Sequence, residues 1–137
     1  MIAKVHSFIL VGIDPLHCEV EADVSQRGLD KTTIVGLAQM AVKESIERVE
    51  RAIINSGYAA PGNKVLINLA PADVKKEGPA LDLAMAIGLL RGTKFIQSDK
   101  HKDYLSAGER ALDGRVRRIK GGLSRALLAK SREMKGV

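Results

Sequence analysis

The sequence predicts an α+β fold in which short strands and about three helices follow one another without regular alternation. Three observations carry this. Residues 16–24 alternate strictly between apolar and polar side chains, residues 41–53 switch to helical spacing, and residues 80–91 are apolar almost all round. The order along the 137 residues reads β-β-β-α-β-α-β-β-α, and that length suits one domain with its own core.

Residues 3–11 read as a first strand with a mostly buried second half. After a turn at Gly12–Pro15, Leu16, Cys18, Val20, Ala22 and Val24 share one face. His17, Glu19, Glu21 and Asp23 share the other, which makes His17 a solvent-exposed residue. The two runs predict an antiparallel hairpin, and Thr32-Thr33-Ile34-Val35 supplies β-branched residues for a third strand. Next, Ala41, Val42, Ser45, Ile46, Val49, Ala52 and Ile53 form the inner face of a helix that Gly57 stops. Its outer face offers Glu44–Arg48 and Glu47–Arg51 as i,i+4 pairs. Lys64–Leu69 is a short apolar strand ended by Pro71, and residues 80–91 are the buried helix, closed by Gly92. Tyr104–Gly108 reads as a further strand, and Asp113-Gly114 as the hairpin turn into Arg115–Ile119. The last helix covers Gly121–Met134 with Leu123, Leu127 and Leu128 inward. Because a strand commonly follows a glycine-capped helix, the fold is expected to continue past residue 137.

Composition narrows the chemistry. Aromatic content is 3% with no Trp, which leaves few rings on which single-stranded bases could stack. Cys18 is the only cysteine, so an internal disulfide or a cysteine-based zinc site is excluded, and a reducing cytoplasm is the expected setting. No signal peptide or membrane span is legible. The net charge of +6 is concentrated in residues 115–137, where eight Lys and Arg face Glu133 alone. Arg115, Arg117, Arg118 and Lys120 could therefore contact backbone phosphates without reading sequence, although a solvated basic face explains them as well. Nucleotide binding of the Walker type fails, because the glycine positions ahead of Lys31-Thr32 are Ser25 and Asp30. Asp73, Glu77 and Asp82 cluster around a turn and could hold a cation, or could serve as acids at a helix start.

One stretch is more specific. Asn68-Leu69-Ala70-Pro71-Ala72-Asp73-Val74-Lys75-Lys76-Glu77-Gly78-Pro79-Ala80-Leu81-Asp82-Leu83 resembles a signature of the magnesium-chelatase-like YifB/ComM family, with Asn68, Pro71, Asp73, Lys76, Glu77, Gly78 and Asp82 as its marks. Ile34-Val35-Gly36-Leu37 with Ala41-Val42-Lys43-Glu44-Ser45, and Gly108-Glu109 with Leu112-Asp113-Gly114-Arg115-Val116, resemble two further blocks in the same order. Ala38-Gln39 departs from the Pro-Asp usual in the family.

The resemblance implies a fold like the second domain of ribosomal protein S5, shared with Lon-type proteases. In those enzymes a Gly-Pro-Ser segment presents the nucleophile and a Gly-Gly-Leu-Lys segment the base. Here the segments read Gly78-Pro79-Ala80 and Gly121-Gly122-Leu123-Ser124, so Ala80 and Ser124 stand at degenerate positions and catalysis by this chain is not expected. The resemblance further implies one N-terminal domain over residues 1–137. An AAA+ module with ATP and Mg2+ would follow it in the full-length protein, with neighbouring subunits in a hexameric ring and a part in DNA branch migration during natural competence. No cofactor is expected in this chain itself. A Lon-type peptidase with displaced residues is the alternative, and an RNA-binding module rests on fold analogy alone.

Overall fold

In a computed structural model, residues 2–25, 27, 29–59, 64–76, 78–119 and 122–137 are described, the side chains of 122–124 excepted. Six strands and three helices succeed one another: β1 (Ile2–Val11), β2 (Asp14–Ser25), β3 (Lys31–Val35), α1 (Met40–Asn55), β4 (Lys64–Ala70), α2 (Asp82–Gly92), β5 (Glu109–Arg110), β6 (Val116–Arg117) and α3 (Gly122–Ser131). The main sheet is mixed, in the order β1-β2-β4-β3. β1 pairs antiparallel with β2 from Ile2↔Asp23 to Val11↔Asp14, β2 antiparallel with β4, and β3 parallel with β4. The expected α+β architecture, with a mixed sheet and three helices, is the observed one.

The period-2 pattern decides which side of the sheet is apolar. Val5, Val20, Ala22, Val65, Ile67 and Leu69 all point to one face and are at most 1% exposed. There they meet Val42, Ile46, Val49 and Ile53 of α1 and Ala84, Met85 and Leu89 of α2 in one continuous core. α2 passes close to the sheet because Gly88 has no side chain; a Cβ there would lie 3.2 Å from Ala22 Cβ. Phe8 points the opposite way and forms a second, smaller cluster with Leu105 and Ala129, which seats α3 on the other face.

Four expectations are corrected. Tyr104–Gly108 is not a strand of any ladder: Leu105 N–H bonds Gly136 O, Ser106 N–H bonds His6 O, and Gly108 N–H bonds Ala80 O. The segment is extended because it satisfies three different neighbours, with Tyr104 and Gly136 making only an isolated bridge. α2 begins at Asp82 rather than residue 80, since Gly78, at φ +78°, and Pro79 first turn the chain, and Gly92 lies within the helix instead of beyond it. The strand expected over Arg115–Ile119 pairs only at Val116–Arg117. Leu127 of α3 is 58% exposed, and the inward side is Leu128 and Ala129.

Candidate functional site

The segment from Asn68 to Leu83 leaves the sheet at the end of β4, turns through Pro71–Ala80 and enters α2. Three of its polar residues, Asn68, Lys76 and Asp82, are bonded within the fold, while Asp73 and Lys75 are exposed. Asn68 Nδ2 donates to Glu21 Oε1 at 3.0 Å. Lys76 is fully buried; its Nζ donates to Gly36 O at 2.8 Å and to Pro71 O. Its main chain adds two further bonds, Lys76 N to Leu37 O and Gln39 N to Lys76 O, both 3.1 Å. The lysine therefore ties the loop before α1 to the turn after β4, and burial pushes its ammonium pKa down. Glycine is required at position 36, because a Cβ there would fall 2.2 Å from Leu69 O at a φ of +108°.

Asp82 is the second buried charge. Arg48 Nε and one of its terminal amines donate to the two carboxylate oxygens at 3.0 and 3.3 Å, and Arg110 N–H donates at 3.1 Å. Arg48 also donates to Ser45 Oγ at 2.9 Å, and the Asp82 hydrogen bond raises its pKa further. α1, α2 and β5 are thus joined at one carboxylate. The sequence alone paired Arg48 with Glu44 on an outer face; it turns instead to Asp82, 34 residues away. Both oxygens of Asp82 are therefore committed to donors of the fold, and Asp73 is exposed. Glu77 lies outside the described residues.

Gly78, Pro79 and Ala80 open on a cavity of about 450 Å³, and Arg118 and Glu109 stand in its wall. Sequence reasoning did not bring Arg118 to this place. Its methyl side chain gives Ala80 no nucleophile, and the side chain of Ser124 lies outside the described residues. The basic cluster expected at residues 115–120 is divided. Arg115 Nε bonds Asp113 Oδ2 at 2.7 Å, Arg117 is registered opposite Glu109, and Arg118 faces the cavity. All three are exposed, while Lys120 lies outside the described residues.

Of two titratable groups on β2, His17 differs from expectation and Cys18 lies on the apolar face where its alternation placed it. His17 is partly buried, with its Nε2 2.8 Å from His6 Nδ1. Burial, then Arg132 and His6, lower its pKa to about 4, so it is not the freely solvated residue its strand position suggests. Cys18 is fully buried beneath α1 and α2, and burial pushes its thiol up to about 11, which leaves it unreactive.

The family profile described as subunit ChlI of Mg-chelatase matches residues 20–137. The chain belongs to the magnesium-chelatase-like YifB/ComM family. It is 43% identical over 122 residues to the uncharacterized protein YifB of Escherichia coli, an alignment covering 89% of this chain and 24% of that protein. It is 34% identical over 128 residues to the competence protein ComM of Haemophilus influenzae, covering 93% of this chain and 25% of ComM. YifB of Salmonella typhimurium is 41% identical over 125 residues, 91% of this chain and 24% of its own. The chain therefore spans about a quarter of the length of the YifB and ComM proteins it matches. No helix among the described residues is long and apolar enough to cross a membrane.

Proposed function

We propose that this chain is a non-catalytic accessory domain of a ring-forming YifB/ComM-type ATPase, serving subunit assembly or DNA engagement. The supporting observation is how the signature residues are used. Lys76 and Asp82 are buried and bonded to other parts of the fold, and the residue presented at the cavity is Ala80. A segment whose two buried charges are spent on internal bonds, and which lines its cavity with a methyl group, is built to hold a shape.

In the full-length protein, ATP and Mg2+ belong to an AAA+ module outside these residues, and that module and neighbouring subunits of a hexamer are the partners. The single buried thiol suits a cytoplasmic setting. Exposed Arg115, Arg117 and Arg118 give the DNA reading its mechanism, with Lys120 beside them in sequence. Contacts of this kind are sequence-independent and weaken as counterions compete. The test is titration of the chain with single- and double-stranded DNA across a salt series. Binding is expected at low ionic strength, with a log–log salt slope that becomes shallower in Arg117→Ala. Absence of salt-dependent binding overturns direct DNA contact. Sedimentation of the full-length protein with and without residues 1–137 then tests assembly: an unchanged hexamer would overturn that version.

A further inference from the structure

The two edges of the main sheet are finished differently. β1 is covered on its outer side, where Ser106 N–H bonds His6 O at 2.8 Å and Ser7, Phe8 and Ile9 are buried. β3 has no such cover. Among the described residues its one ladder is with β4, no other main-chain bond reaches Lys31–Val35, and none of its side chains is buried. A parallel strand commits alternate residues to its neighbour, so the remaining N–H and C=O groups of β3 point to the open side. An edge left open is a template for pairing. Thr32–Val35 is β-branched throughout, the composition that suits a ladder. Exposed apolar side chains flank the same strand: Leu29 is 88% exposed, and Val35 and Leu37 are exposed as well.

Between this edge and α1 runs a groove of about 400 Å³, with Lys31, Lys43 and Glu47 in its lining. Glu50 joins it through Thr32, whose Oγ1 donates to Glu50 Oε1 at 2.9 Å. Lys31, Lys43 and Glu47 make no ion pair among the described residues. Two cations and two carboxylates balance, so the groove suits neither a polyanion such as DNA nor a basic peptide. It suits a surface of the same mixed charge, and the chain carries one itself. A second copy turned about an axis at Thr33 sets Thr33 against Thr33, Lys31 against Val35 of the other copy, and Leu29 towards its Leu37. The same rotation runs the two α1 helices in opposite directions, carrying Lys43 of each copy towards Glu47 and Glu50 of the other. We infer that β3 pairs antiparallel with β3 of a second copy, joining two main sheets edge to edge. A two-fold contact pairs chains and closes no cyclic ring, so the inference stands apart from the ring proposed above.

The test is sedimentation equilibrium of the chain from about 10 µM to about 1 mM, with amide hydrogen exchange at both ends of that range. A monomer–dimer equilibrium is expected, and the β3 amides that do not bond β4 should gain protection as the dimer fills. Lys43→Glu makes the α1 wall of the groove wholly acidic and is expected to weaken the dimer about tenfold. Lys43 is exposed, so this variant keeps the fold. An equal amount of Glu47→Lys, whose wall is mainly basic, is expected to draw Lys43→Glu back into mixed dimers, followed by a fluorophore on the N-terminus of Lys43→Glu. That rescue separates a lost contact from a lost fold. The inference is overturned by a chain that stays monomeric throughout the range, by a trimer or larger oligomer, or by a dimer whose β3 amides stay unprotected. It is also overturned if Lys43→Glu dimerises as tightly as the unaltered chain, or if Glu47→Lys fails to rescue it.

Discussion

The two faces of the main sheet are built on different principles. Among the described residues, one face carries a continuous core of eighteen buried side chains, sealed by α1 and α2 and locked at its margin by Lys76 and Asp82. The other carries three, Phe8, Leu105 and Ala129, beside the His6–His17 pair and the polar group of Lys4, Glu21 and Asn68. Burying apolar area scales stability, so the first face holds the domain together. The second needs far less area, and its elements can shift without dissolving the core.

Breaking the margin of the first face has the largest expected effect. Asp82→Ala leaves Arg48 without its partner and Arg110 N–H without an acceptor, and should cost about 4 kcal/mol in urea unfolding, with the whole chain losing protection together. Phe8→Ala should cost about 3 kcal/mol. The loss should be uneven: hydrogen exchange should quicken in α3 and residues 104–108 while α1 and α2 keep their protection. Equal loss everywhere would refute the division between the faces.

Acidity probes the second face through His17. Its pKa of about 4 in the fold lies below the ordinary 6.5, so the unfolded chain binds the proton more readily between those values. Stability contributed by neutral His17 is complete above pH 6.5, falls as pH drops towards 4, and changes no further on this group's account below that. The melting temperature should follow this course, and His17→Gln should flatten it. At the small end, Arg115→Ala removes only the exposed pair with Asp113 and should leave the urea unfolding midpoint essentially unmoved.

What was legible in the sequence follows from this difference. β1, β2 and the inner face of α1 could be read because each buries one side against a large apolar surface, which imposes a period of two or 3.6. Tyr104–Gly108 misled because its apolar residues record burial beneath α3 and not pairing in a ladder. Leu127 misled because α3 needs only a narrow apolar strip on a small cluster. The signature segment stood out from the first, yet the tasks of Lys76 and Asp82 could not be read from it. Their partners, Gly36 and Arg48, lie 40 and 34 residues away, and only the folded chain brings them together. Arg118 facing Ala80 was hidden for the same reason.

The order of strands also sets a timetable. β1 and β2 adjoin in the chain and can zip as soon as residue 25 is free, with only a two-residue loop to close. β3 can do nothing of the kind, because its neighbour among the described strands is β4 and all of α1 must be made before that neighbour exists. β4 then has to slot between a finished hairpin and a waiting strand. A chain emerging from the ribosome therefore carries Lys31–Val35 unpaired until about residue 70 has appeared, and that interval is when a chaperone or a stray β-edge has its opening.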